Sequence, residues 1–236
     1  MAALRGVLHD PLVSVVMPAY NEQDTIAEII GRVLAVPVRI ELIVVDDGSR
    51  DRTREILTGL QLQHGFKLIF QERNQGKGAA IRRGFAEVTG EVVVVQDADL
   101  EYSPEEYPVL LELICQGRAD VVYGSRFLGR HRVFLFTHYL GNRFLTLLTN
   151  VLYNTMLTDM ETCYKVMRTE VLRSMALKSD SFGIEPEMTA KIFKRGYRVY
   201  EVPITYDGRG YEEGKKITWR DGFTALWVLL KYRFTE

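Results

Sequence analysis

Through the first half of the chain, short apolar runs alternate with stretches whose apolar residues recur every three or four positions. Leu12–Met17, Ile40–Val45, Lys67–Phe70, Glu91–Val95 and Asp120–Tyr123 read as strands, and several are apolar without interruption. A strand with no polar face has no side for water, so these strands are expected to be covered on both faces. Between them, Asp24–Leu34, Arg52–Leu60, Lys77–Val88 and Pro104–Ile114 carry helical spacing. The alternation predicts βαβ units and an α/β fold with a mostly parallel sheet flanked by helices.

The second half is less regular. Phe134–Asn154 predicts a long helix, Thr169–Ala176 and Glu185–Arg195 shorter ones, and Arg198–Tyr206 alternates like a strand. Gly208–Lys216 is a Gly- and charge-rich loop, and Thr218–Tyr232 is an amphipathic helix. With no repeat and no linker composition, the expected division is a tail over 1–11, one catalytic domain over 12–217 and a terminal helix over 218–236. That last helix suits packing on the domain or anchoring at a membrane or membrane partner.

A length of 236 residues fits one α/β domain, and a formal net charge of −1 argues against a nucleic-acid partner. Cys115 and Cys163 form neither a disulfide framework nor a metal-ligand spacing, which points to a reducing, cytoplasmic setting. The first ten residues lack the apolar core of a signal peptide. No run reaches the roughly 18 apolar residues that a spanning helix needs. The chain is therefore expected not to cross a bilayer by itself, which leaves it free to lie against one.

In an open α/β sheet, ligands bind outside the carboxyl ends of the strands. Those ends are polar here: Pro18-Ala-Tyr-Asn-Glu22, Asp46-Asp-Gly-Ser49, Asn74-Gln-Gly-Lys-Gly78 and Gln96-Asp-Ala-Asp-Leu-Glu101. All four are expected to converge on one edge. Asp97 and Asp99, with Glu101 beyond, offer the hard oxygen ligands that suit Mg²⁺ or Mn²⁺ and a substrate phosphate. Asp-x-Asp serves equally well as a strand-end turn with a helix cap. No Gly-x-Gly-x-x-Gly follows the first strand, and Gly76-Lys77-Gly78 lacks the residues of a Walker motif, so it reads mainly as a tight turn opening a helix.

Taken together, Val15–Glu22, Val44–Ser49 with Asp51 and Thr53, Asn74–Gly78 and Asp97–Asp99 resemble glycosyltransferase family 2. The resemblance runs on through Tyr123–Arg126, Asp159–Lys165, Glu201–Tyr206 and Arg209–Lys215, and is most specific to the dolichyl- and polyprenyl-phosphate sugar synthases, the dolichol-phosphate mannosyltransferase type among them. It implies a GT-A-like fold. It also implies that Pro18, Tyr20, Glu22, Val45 and Asp47 hold the nucleoside of a nucleotide-sugar. Asp97, Ala98 and Asp99 then fall at the diphosphate, with Asp97, Asp99 and Glu101 at a metal, and Arg126 at the donor. Arg209 and Lys215 match a late basic pair over the donor phosphates, catalytic together with Asp99. Glu101 stands where that family often has Gln, and the Asp159–Lys165 segment departs from the form common in mannosyl enzymes.

A phosphate monoester, with a second pKa of about 6, is already ionised near neutral pH and needs no strong base to attack a sugar. Asp159 and Glu161 become base candidates only for a hydroxyl acceptor. From Val121 to Thr158 the chain has no Asp or Glu, while Arg126, Arg130, Arg132 and Arg143 are interleaved with aromatic and leucine residues. Such a segment suits an anionic membrane surface and a lipid phosphate, with Arg143 as the contact to that phosphate. The expected activity is thus inverting transfer from a nucleotide-sugar, GDP-mannose foremost, to a polyprenyl or dolichyl phosphate. The enzyme is expected to sit peripherally on the cytoplasmic face of a membrane, with room for an integral-membrane partner. UDP-glucose as donor, a saccharide hydroxyl as acceptor and a non-catalytic nucleotide-sugar-binding subunit are the competing readings.

Overall fold

The apolar runs of the first half become Val13–Ala19 (β1), Ile40–Asp46 (β2), Lys67–Phe70 (β3) and Val92–Val95 (β4), all paired in parallel. The computed structural model describes residues 6–132, 135–208 and 219–235. Val121–Ser125 (β5), Lys165–Arg168 (β6) and Val199–Pro203 (β7) complete one seven-stranded sheet in the order β3-β2-β1-β4-β6-β5-β7. Chain direction reverses only at β6, which is antiparallel to both of its neighbours. The sheet is thus mostly parallel, as the alternation predicts.

β6 is the element that the apolar pattern does not announce. It is four residues long and begins and ends with a cation, yet all four of its residues are buried. Lys165 is 0% exposed and spends its ammonium on the carbonyls of Met160 and Thr162. Arg168 donates to the carbonyls of Gly6 and Ile114. Backbone acceptors replace the water that these charges would otherwise require.

The helices are Ile26–Ala35 (α1), Thr53–His64 (α2), Lys77–Phe85 (α3), Tyr107–Cys115 (α4), Phe136–Tyr153 (α5), Thr169–Arg173 (α6), Ile184–Lys194 (α7) and Trp219–Phe234 (α8). The helix expected over Pro104–Ile114 opens as a 3₁₀ turn, Pro104–Glu106, before α4. α3 packs on β1 and β2, and it approaches closely because residue 84 has no side chain: a Cβ there would lie 2.4 Å from the Val16 side chain. β4 is four consecutive valines, at most 2% exposed, in the middle of the core. Full burial of each such side chain contributes about 1.5–3 kcal/mol.

The N-terminal segment is tied down from Leu8 onward, whose N–H donates to the Cys115 carbonyl at 2.9 Å. At the other end, α8 packs on the domain through Ala225, Val228, Leu229 and Tyr232. Its Phe223, Trp227 and Phe234 are 64%, 65% and 82% exposed. Packing and exposure coexist on the two sides of one helix.

β1 lies between β2 and β4, so the chain leaves it to one side and returns on the other. That switch opens a crevice at the carboxyl edge of the sheet.

Candidate active site

The crevice holds a cavity of about 760 Å³. Pro18, Tyr20 and Glu22 after β1, Asp47 after β2, Asn74, Gly76 and Lys77 after β3, and Asp97, Ala98, Asp99 and Glu101 after β4 all line it. The four strand-end segments meet as their polarity predicts. Arg126, after β5, joins them. Val45 is buried in β2, away from the lining, because alternation along the strand turns it into the core.

The loops after β1 and β2 are stitched together. Asn21, at φ 52°, donates from its N–H to Ser49 Oγ at 3.0 Å, and its side-chain oxygen accepts from the Arg50 N–H at 2.9 Å. Thr53 Oγ1 accepts from the Glu22 N–H at 2.9 Å, and Thr25 Oγ1 donates to the Ala98 carbonyl at 2.7 Å. Asp47 is 2% exposed and accepts from the N–H groups of Gln75 and Gly76, each at 2.8 Å. Burial pushes its pKa up against those bonds. Gly76 needs φ 100°, and a Cβ there would meet the Asp180 carbonyl at 2.3 Å. The Gly-Lys-Gly segment is therefore the tight turn expected of it, and the turn also aims Lys77 into the cavity.

Lys77 Nζ lies 2.9 Å from the Asp97 carboxylate and 2.9 Å from Glu185 Oε1. Burial opposes its charge, but Asp97, with Glu185, outweighs burial and holds the ammonium pKa well above the usual value. Leu100, at φ 64°, turns the chain so that Asp99 Oδ1 accepts from the Glu101 N–H at 3.2 Å. Glu101 Oε2 accepts from the Tyr206 hydroxyl at 2.6 Å. Beneath them, Gln96 Oε1 accepts from Tyr107 and Tyr164, each at 2.7 Å.

Arg126 is 7% exposed and bound to Asp159 by two side-chain hydrogen bonds of 2.7 Å. Burial works against its charge, and Asp159 more than offsets that, raising the guanidinium pKa well above the usual range. Asp159 is fixed in turn, because Glu201 accepts from the N–H groups of Thr158 and Asp159. The Arg126 guanidinium lies 5.2 Å from the centre of the Tyr206 ring.

The acidic donor set is all oxygen, which fits a hard cation. Among the described residues, no three His, Cys, Asp or Glu side chains converge as a metal-holding group. Asp97 is paired with Lys77, and Glu101 with Tyr206. The carboxylates suit a cation that completes its shell with diphosphate oxygens and water, which needs only one or two protein ligands.

Much of the rest of the lining comes from helices with no motif to announce them. α5 gives Thr137, His138, Gly141, Asn142 and Leu145, and α8 gives Asp221 and Gly222. Glu161 and Cys163, within the Asp159–Lys165 motif, line it as well, with Phe182 and Glu185. Arg143 is exposed and outside the lining, one position from Asn142. Arg209 and Lys215 lie outside the described residues.

Burial first, and then the charge of Glu185, pushes the Glu161 carboxyl up to about 7. A raised acid pKa means that the folded state holds its proton more tightly than the unfolded chain. That stabilisation is complete below the unfolded pKa and is lost as pH rises through the folded value. Thermal unfolding of Glu161→Gln should therefore gain on the wild type as pH rises from about 4.5 to about 8. A constant difference across that range would show that Glu161 titrates normally.

The family model described as Glycosyl transferase family 2 matches residues 14–175. Dolichol-phosphate mannosyltransferase of Pyrococcus furiosus is 32% identical over 209 residues, which are 86% of this chain and 58% of that protein. Undecaprenyl-phosphate 4-deoxy-4-formamido-L-arabinose transferase of Edwardsiella ictaluri is also 32% identical over 209 residues, 86% of this chain and 62% of that protein. The chain thus spans about three fifths of these relatives. Among solved structures, glucosyl-3-phosphoglycerate synthase of Mycobacterium tuberculosis, in complex with Mn²⁺, uridine diphosphate and phosphoglyceric acid, superposes with a TM-score of 0.75. It is 22% identical and covers 95% of this chain and 79% of its own, a likeness of fold.

Proposed function

The chain belongs to glycosyl transferase family 2, and from that premise we propose that it transfers a sugar from a nucleotide-sugar to a polyprenyl phosphate at a membrane surface. GDP-mannose is the favoured donor, in line with the mannosyl relative, and the anomeric centre is inverted. One observation carries the membrane part of this reading. α5 and α8 each line the cavity and also present apolar side chains to the outside.

On α5, Phe136, Leu140, Phe144, Leu147 and Val151 are 56–73% exposed and recur at helical spacing. Arg143 falls on the same stripe, beside Phe144. α8 adds Phe223, Trp227, Leu230 and Phe234, with Lys231 and Arg233 between them. The two helices touch, the Tyr153 hydroxyl donating to the Leu229 carbonyl at 2.7 Å. Apolar stripes flanked by cations are what an anionic bilayer receives at headgroup depth. No helix among the described residues is long and apolar enough to cross a membrane. The association in this reading is peripheral, on the cytoplasmic face.

In this reading, Pro18, Tyr20, Glu22 and Asp47 receive the nucleoside, and the Asp97–Asp99 segment receives the diphosphate. Asp99, with Asp97 and Glu101 beside it, would hold a Mg²⁺ or Mn²⁺ ion. Such an ion supplies Lewis-acid neutralisation of the departing diphosphate. Lys77 fixes the Asp97 carboxylate, and Asp159 fixes the plane of the Arg126 guanidinium at the cavity wall, so both are preorganised before substrate arrives. Arg209 and Lys215, which lie outside the described residues, are expected from the resemblance to add positive charge for the phosphates. A lipid phosphate reaching over α5, past Arg143, is ionised already and attacks without a dedicated base.

A second reading has one observation of its own. Glu161 lines the cavity with a carboxyl pushed up to about 7, a value suited to a general base for a hydroxyl acceptor. Incubating the protein with Mn²⁺, labelled GDP-mannose or UDP-glucose, and vesicles containing polyprenyl phosphate separates the two. Label entering the lipid phase supports the phosphate acceptor, whereas transfer to free saccharide alone sinks it. Phe136→Asp with Trp227→Asp should cut transfer to vesicle-borne acceptor by about tenfold or more, since each loses the burial of a large side chain. Equal transfer by variant and wild type would show that these stripes do not meet the bilayer.

A further inference from the structure

We infer that Glu161 and Glu185 form the sugar subsite of the cavity, selecting a donor that carries an uncharged polyhydroxylated sugar against one that carries a uronic acid. This rests on the reading of the cavity as a nucleotide-sugar site and adds what the transferred sugar must look like. Four buried-side observations place the subsite and give it its chemistry.

Position comes first. Lys77 touches Asp97 on one side and Glu185 on the other, so Glu185 lies one ammonium beyond the segment assigned to the diphosphate. Glu161 stands in the turn between α5 and β6, and Glu185 in the first turn of α7, and both line the same cavity. The diphosphate of a nucleotide-sugar has the nucleoside on one side and the sugar on the other. Pro18, Tyr20, Glu22 and Asp47 take the nucleoside side in this reading, which leaves Glu185 on the side of the sugar.

Unmet hydrogen-bonding capacity comes second. Glu161 Oε1 and Glu185 Oε2 are buried and have no donor among the described residues. The other buried atoms in that condition, on Arg82, Glu106 and Arg168, belong to residues outside the cavity lining. Glu185 is 5% exposed as a residue, so its second oxygen is held out of water, while its side chain is among those that line the cavity. Leaving a buried acceptor without a donor destabilises the fold, and native structures keep few of them. A ligand rich in hydroxyl donors brings to these two side chains the partners that the described residues do not supply.

Charge comes third. Two carboxyl groups in one wall repel a third, and the low-dielectric surroundings strengthen that repulsion. Burial and Glu185 already push the Glu161 pKa upward, the response of an acid to an acidic neighbour. A carboxylate on the ligand meets these two acids while the nearby cations, Lys77 and Arg126, are already engaged by Asp97 and Asp159, whereas sugar hydroxyls can donate to the acids. Fourth, Phe182 lines this end and offers an apolar face to the C–H side of a sugar ring.

The test is calorimetric titration of the full chain in Mn²⁺ with UDP, GDP, and paired donors on the same base: UDP-glucose against UDP-glucuronate, and GDP-mannose against GDP-mannuronate. Wild type is expected to bind the neutral member of a pair about thirtyfold more tightly or better. In Glu161→Gln, and separately in Glu185→Gln, that ratio should fall to about threefold or less, because the amide no longer repels the uronate. Binding of the bare nucleoside diphosphate reports whether each variant retains a formed cavity, and the wild-type ratio tests the inference even if a variant misfolds. Equal affinity of wild type for both members of a pair overturns the subsite, as does a ratio unchanged in both variants. Failure of wild type to bind either nucleoside diphosphate overturns instead the nucleotide-sugar reading beneath it.

Discussion

Asp99→Ala is expected to lower sugar transfer by between about a hundredfold and a thousandfold while the protein stays folded. Asp99 lines the cavity at the carboxyl edge of β4, half-buried, and its carboxylate accepts from the Glu101 N–H of the same turn. Asp97 is the less suitable target, because its loss would leave Lys77 with Glu185 alone. The turn itself is held from outside by Thr25 bonding to the Ala98 carbonyl and by Tyr206 bonding to Glu101. The loss therefore falls on transition-state charge, about 2.7–4 kcal/mol of it if Asp99 behaves like other preorganised electrostatic groups. Two measurements check this. Transfer rates should drop with the melting temperature nearly unchanged, and chelation, which should weaken nucleoside diphosphate binding in wild type, should do little to the variant. A variant that keeps a tenth of wild-type activity would remove Asp99 from the catalytic machinery.

Asp159→Ala should instead destabilise the protein by about 3–5 kcal/mol, because it leaves Arg126 buried and charged without its partner. A typical fold has only about 5–15 kcal/mol in hand, so this single change consumes a large share of it. Asp159 is 0% exposed and receives the Arg126 N–H at 3.0 Å as well as the two guanidinium bonds. Urea denaturation gives the number. The double variant Arg126→Ala/Asp159→Ala should recover much of the loss, since the uncompensated cation goes with its counter-ion. If the double variant is no more stable than Asp159→Ala, the cost lies in the backbone turn at Thr158 and Asp159, which Glu201 holds, and not in the ion pair.

What the sequence reveals of this molecule follows a physical boundary. The parallel core is legible because a strand buried on both faces must be apolar throughout, as Val92–Val95 is. The strand-end half of the cavity is legible because sheet topology dictates where polar loops gather, so Pro18, Glu22, Asp47, Asp97 and Asp99 are found without knowing any packing. β6 escapes that logic: Lys165 and Arg168 look like surface charges, and only backbone carbonyls from distant turns make them internal. The helix-borne half escapes it too. Whether Asn142 or Arg143 faces the cavity depends on the roll of α5 against its neighbours, which no local pattern encodes. Glu185 reads as an ordinary acid at a helix start, where it complements the dipole, until Lys77 is seen beside it.

The cross-links between the loops after β1, β2 and β4 have an evolutionary corollary. Asn21, Ser49, Thr53, Thr25 and Ala98 lock that rim through backbone groups, so a change at one position disturbs several others. The opposing wall is assembled from side chains on α5, α7 and α8, with Glu185 of α7 tied to the rim through Lys77. If the proposed donor site is right, substitutions on those helices are expected to change the sugar and acceptor accepted, whereas substitutions within the cross-linked rim are expected to disturb several loops at once.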